Sequence, residues 1–148
     1  MTQEQAAKMT EWMYRCPYES AAGIVPVSLT EGRSVIGVTL RPDHMNIWNI
    51  PHGGLLYALA DIASGVAADS VHPDAHIVTA GSCFNFLYAA PDAKSLRAVG
   101  QVIKPGHSLT VVQADVYDDR DRHLATGQFT MHLSYDTAGA HSQQQTGS

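Results

Sequence analysis

Asp61 is the only charged side chain between Leu55 and Ala68, in a run otherwise built of small and apolar residues. An ionised carboxylate buried without a partner costs several kcal/mol. Such a group shifts its pKa, caps or ion-pairs with a neighbour, or does chemistry. Nine residues earlier stands His52, followed by Gly53-Gly54, and six before His52 stands Asn46. Pro51 disfavours helix for the residue before it, and the two glycines let the backbone turn tightly. A helix opening at Gly53 presents amides that have no intrahelical partner and carry the positive end of the dipole. With no side chain in the way, those amides suit an oxygen that gains negative charge. Eight residues along a helix span about 12 Å, so Gly53 and Asp61 of one chain cannot both touch one carbonyl. Either they serve different purposes, or a two-fold-related helix running antiparallel completes the site.

The element that must position these groups is predicted from Gly53 to about Ala68. Leu55, Leu59, Ile62 and Val66 recur at three- and four-residue steps, widened by Leu56, Ala63 and Ala67. A helix so apolar nearly all round belongs inside a fold. The narrow remaining face carries Asp61 with Tyr57, Ser64, Gly65 and Ala68, which suits a cleft. Ser64 lies one turn after Asp61, in reach of a water or an acyl group if it faces that cleft.

The 148 residues suit a single domain, 45% apolar and 16% charged. A net charge of −5 with scattered Lys and Arg argues against nucleic acid as the main partner. Residues 1–15 contain Glu4, Lys8, Glu11 and Arg15 and no apolar leader core, and no run reaches the ~18 apolar residues of a span. A cytoplasmic protein without a membrane partner is therefore expected. Cys16 and Cys83 show no metal spacing, and the sequence leaves open whether they are paired or free. His72 and His76 flank Pro73 and are not expected to share a helix face, so neither a metal nor a cofactor is expected.

The remaining elements follow from alternation and turn residues. Residues 3–15 read as a short helix with Ala6, Met9, Trp12 and Met13 on one face, stopped by Pro17. It packs on the body or, as a minority option, forms a lid with Trp12 and Tyr14 as its aromatics. Strands are predicted at Ile24 to Leu29, Ser34 to Leu40, His76 to Tyr88, Ser95 to Ile103, His107 to Tyr117 and His123 to Ser134. The charge run Asp118 to Arg122 reads as a solvated hairpin tip. The divisions are an N-terminal helix over 1–16, one domain over 17–135, and a disordered tail over 136–148. The class is α+β, an antiparallel sheet, drawn as a meander, wrapped around one long buried helix. The polar strip with Asp61 would then need something else to close it, most simply a partner subunit.

The pattern Asn46-x5-His52-Gly53-Gly54-x6-Asp61 resembles the signature of hotdog-fold acyl-CoA thioesterases, nearest to the phenylacetate-pathway type. The likeness extends over about Pro17 to Ser134, strongly at this motif and elsewhere as a strand pattern. It implies the hotdog fold and hydrolysis of an acyl-CoA thioester. It also implies a homodimer or a dimer-of-dimers tetramer with sites at subunit interfaces. By resemblance the Gly53 amide polarises the carbonyl, with Gly54 beside it, and Asp61 of the opposite subunit is general base or nucleophile. Asn46 holds the water or thioester, and His52 orients the turn and contacts the substrate. Some relatives carry a hydroxyl on the strand after the helix, at a position that matches Gly81. Lys104 and His107, in a Gly-opened turn, are candidates for the CoA phosphates. Two other readings stand beside this one: a hydratase or dehydratase of acyl thioesters on the same fold, and a non-catalytic acyl-CoA-binding or sensing module.

Overall fold

A computed structural model describes residues 2–136 of the chain; all of the predicted 136–148 tail beyond Asp136 lies outside what it describes, as do the Gln5 and Trp12 side chains. The order is α1 (Gln3–Arg15), α2 (Pro17–Ala22), β1 (Ile24–Thr30), β2 (Arg33–Thr39), α3 (Gly53–Val71), β3 (Ala75–Phe86), β4 (Ser95–Pro105), β5 (Leu109–Asp118) and β6 (His123–Tyr135). Pro17 does not merely end the first helix. Its fixed φ suits the first turn of a second one, which stops at Gly23 in the left-handed region (φ 73°).

All pairings are antiparallel, in the spatial order β1-β2-β4-β5-β6-β3. This is not the simple meander that chain order suggested. β2 pairs directly with β4, while the chain leaving β2 runs through α3 to β3 at the far edge beside β6. The α+β architecture, a six-stranded sheet holding one long helix, is as expected.

The 19-residue α3, with a mean hydropathy of 1.3, is long and apolar enough to cross a membrane by length and composition, although no unbroken apolar run suggested it. Here its apolar side is spent on the sheet. Leu59, Ala60, Ala63 and Ala67 have no exposed surface and meet a floor that includes Ile36, Ala98, Val112, Ala114 and Phe129. Burying each larger apolar side chain contributes about 1.5–3 kcal/mol. The closest approach is at Gly100, where a Cβ would stand 2.5 Å from the Ala63 carbonyl oxygen, so only glycine fits. That oxygen also accepts from Ser34 Oγ at 2.6 Å.

The tip Asp118 to Arg122 is not a loose solvated turn. Asp118 is buried, accepts from the Arg120 and Arg122 amides and binds the Arg122 guanidinium, which also pairs with Asp92. Burial pushes the Asp118 carboxyl up, but Arg122 and the two amides outweigh it and hold it below the usual carboxylate range. No disulfide joins Cys16 and Cys83.

Candidate functional site

The residues ahead of α3 form a rigid turn. The Asn46 carboxamide oxygen accepts from the amides of Trp48 (2.9 Å) and Ile50 (3.3 Å), and Met45 bridges Pro51 across the turn. Asn46 thus shapes the loop through an Asx turn. Asn49 takes the left-handed conformation (φ 58°), and Ile47 and Trp48 are left 90% and 76% exposed. Beneath, the buried His44 ring is satisfied on both nitrogens, by the Arg41 amide and the Ala22 carbonyl.

His52 is the N-cap of α3, and its Nδ1 accepts from the Gly54 amide at 2.8 Å. The proton of the neutral ring is therefore on Nε2. This corrects one expectation: the Gly54 amide, paired as a substrate contact with Gly53, is already taken by the cap. The Gly53 amide has no acceptor among the described residues.

From Gly53 the residues at every fourth position, Tyr57, Asp61, Gly65 and Asp69, run in a line down α3. Strand β3 lies antiparallel beside this line and closes much of it, a role the sequence had suggested for a second subunit. A Cβ on Gly53 would meet the Phe86 ring at 3.3 Å. One turn on, Tyr57 Oη and Ser82 Oγ share a hydrogen bond of 2.6 Å. Another turn on, Thr79 Oγ1 donates to Asp61 Oδ1 at 2.5 Å. Asp61 is half-buried and makes no ion pair among the described residues; its Oδ2 accepts no protein hydrogen bond there.

Thr79 supplies the hydroxyl that meets Asp61, a contact the strand pattern does not reveal. Straight alternation puts Thr79 and Gly81 on one side of the strand and Ser82 on the other. The ladder to β6 shifts between Thr79 and Gly81. This bulge lets Thr79, Ser82 and Phe84 all face α3.

Beyond Asp61 the line opens into a cavity of about 660 Å³. Its walls include Gly65, Val66 and Asp69 of α3, Ile77 and Thr79 of β3, Met131 of β6, and Lys8 and Met9 of α1. Burial pushes the Asp69 carboxyl up to about 6.

Three expected contacts are not brought together here. Ser64 is wholly buried and donates to the Ala60 carbonyl at 2.7 Å, so its hydroxyl serves the helix and not the cleft. Lys104 and His107 sit at the other end of the molecule. Thr110 accepts or donates to His72, the C-cap of α3, and bonds the Gly106 carbonyl, which fixes that hairpin by the helix C-terminus. Within one chain this is about 27 Å of helix away from Gly53. His107 stacks on Tyr135 with ring centroids 4.7 Å apart. His72 and His76 also have separate partners, Thr110 and Asp136.

Residues 49–125, just over half of the chain, match the family model described as the Thioesterase superfamily. A thioesterase family protein from Silicibacter pomeroyi is 27% identical, with a TM-score of 0.83 over 89% of this chain and 99% of its own. The Escherichia coli PaaI protein from the phenylacetic acid degradation operon is 25% identical, with a TM-score of 0.83 over 93% of this chain and 99% of its own. A conserved protein from Pseudomonas aeruginosa is 30% identical, with a TM-score of 0.77 over 90% of this chain and 100% of its own. With this match and the hotdog architecture in place, the chain belongs to the thioesterase superfamily.

Proposed function

We propose that the protein hydrolyses an acyl-CoA thioester, with Asp61 as general base or nucleophile. The observation that carries this reading is the Asp61 carboxylate itself: half-buried, free of ion pairs among the described residues, oriented through Oδ1 by Thr79, and set at the mouth of a cavity. In the general-base form, Oδ2 takes a proton from a water that attacks the thioester carbon. Negative charge then gathers on the carbonyl oxygen, where a free helix-terminal amide such as that of Gly53 stabilises it. Collapse breaks the C–S bond; the acyl group leaves as a carboxylic acid, and the thiolate takes the proton held by Asp61. His52 and Asn46 act at one remove, since both hold the turn that aims the Gly53 amide.

Gly53 and Asp61 are about 12 Å apart on one helix, so a second copy is the natural source of the missing half. Strand β3 supports this. It pairs only with β6 among the described residues, and nine of its twelve residues are exposed. An unpaired strand edge of that length is a template for another strand.

Thiol release from a panel of acyl-CoAs, measured for wild type and Asp61→Asn, tests the reading. Release by wild type and a fall of about 10²–10⁴ in the variant is expected. Binding without release overturns it in favour of a sensor, and a change in enoyl absorbance without release overturns it in favour of a hydratase.

A further inference from the structure

The gap between α3 and β3 is filled on one side of Asp61 and empty on the other. Toward Gly53, the rings of Tyr57, Phe84 and Phe86 pack edge to face at centroid distances of 5.2–5.5 Å. These rings occupy the seam between helix and strand on that side of Asp61. Toward the helix C-terminus, Gly65 has no atom within 4 Å of where a Cβ would be, and the 660 Å³ cavity begins there. Its apolar wall includes Ile62, Val66, Ile77 and Met131.

Resting on the thioesterase reading, we infer that the acyl group runs down this cavity and that Asp69 selects acyl chains whose far end is a hydrogen-bond donor. Asp69 stands two helical turns, about 12 Å, beyond Asp61, comparable to an extended acyl chain of about eight carbons. Its carboxyl makes no hydrogen bond or ion pair among the described residues. The other charged groups on the cavity wall are Lys8 of α1, Glu19 of α2, His76 of β3 and Asp61 itself. The two bases have other partners: Lys8 pairs with Glu4 at 3.0 Å and His76 with Asp136 at 2.8 Å. Burial without compensation is why the Asp69 carboxyl is pushed up to about 6. A hydroxyl at the end of the acyl chain supplies the missing donor, whereas a terminal carboxylate meets a like charge.

The test compares kcat/KM for octanoyl-CoA, 8-hydroxyoctanoyl-CoA and suberoyl-CoA, which ends in a carboxylate, by thiol release at pH 8. Wild type is expected to favour the hydroxyl over the carboxylate terminus by about tenfold or more, the effect of one charge-assisted hydrogen bond. In the near-isosteric Asp69→Asn variant that ratio falls towards one, because the repulsion is gone. As a second probe, Gly65→Leu fills the cavity and lowers the ratio of octanoyl to acetyl turnover. Turnover with a hydroxyl-to-carboxylate ratio that Asp69→Asn leaves unchanged overturns this inference alone. Release from acetyl-CoA but from none of the three also overturns this inference alone, whereas no release from any acyl-CoA of the panel overturns the thioesterase reading and this inference with it.

Discussion

The two halves of the α3–β3 seam, on either side of Asp61, are built to opposite ends. The Gly53 half is filled and jointed: rings pack there, and a Tyr57–Ser82 hydrogen bond ties helix to strand. The Asp69 half is hollow, floored by a glycine and guarded by a carboxyl without a partner among the described residues. Asp61 lies at the joint, fastened by Thr79 to the rigid side's strand while facing the open side. One half supplies geometry and the other supplies room. The glycines show the same division. Gly53 sits under an aromatic ring, whereas Gly65 faces empty space.

The sharpest way to break this comparison is at the joint. Asp61→Asn keeps the shape and removes the base, with the loss of about 10²–10⁴ in thiol release given above. Next comes the filled half. Phe129 is fully buried and touches both Tyr57 and Phe84, so Phe129→Ala should destabilise the fold by about 3–5 kcal/mol in urea unfolding. Thr79→Val removes only the donor that orients Asp61. It should lower kcat by about tenfold while KM moves little, and Thr79→Ser should restore most of it.

The hollow half predicts smaller effects of the opposite sign. The Asp69 carboxyl is raised from 3.8 to about 6 in the folded chain, so the folded state holds its proton more tightly than the unfolded one. Stability is then lost as pH rises from about 3.8 through 6, and is not regained above. Asp69→Asn escapes that loss, so its melting temperature should exceed wild type at pH 8 by an amount worth about 1 kcal/mol after solvent screening. The difference should vanish near pH 4. Smallest is Gly65→Ala, expected to add about 0.5–1 kcal/mol because the methyl meets nothing and the helix interior no longer holds a glycine. Gly53→Ala, pressed against Phe86, should not share that gain.

Much of the scaffold was legible because its signals are local. Leu55, Leu59 and Val66 announce a buried helix by period, and the six strands announce themselves by alternation and by turn residues such as Glu31-Gly32. Asp61 was legible as the odd charge in an apolar run. What stayed hidden depends on pairing across the chain. The bulge at Ala80 hands Asp61 its hydroxyl from Thr79, and no single-strand pattern marks it. The Ser64 hydroxyl turns back onto its own helix because the Ala60 carbonyl lies one turn away, a choice that spacing cannot foretell. Likewise, Asp118 looks like one more surface acid until Arg122 and Asp92 are folded around it. The β2-to-β4 pairing across α3 is a long-range event of the same kind.

Gly100 carries a consequence at a distance. It lies under α3, on the face opposite solvent, and sets how low the helix rides through its contact with the Ala63 carbonyl. A methyl group there acts as a shim. It lifts the helix mid-section off its bed, and Asp61, two residues along, rises with it while Thr79 stays anchored in the sheet's edge. The reach of a proton acceptor is thus levelled by the absence of a side chain underneath it.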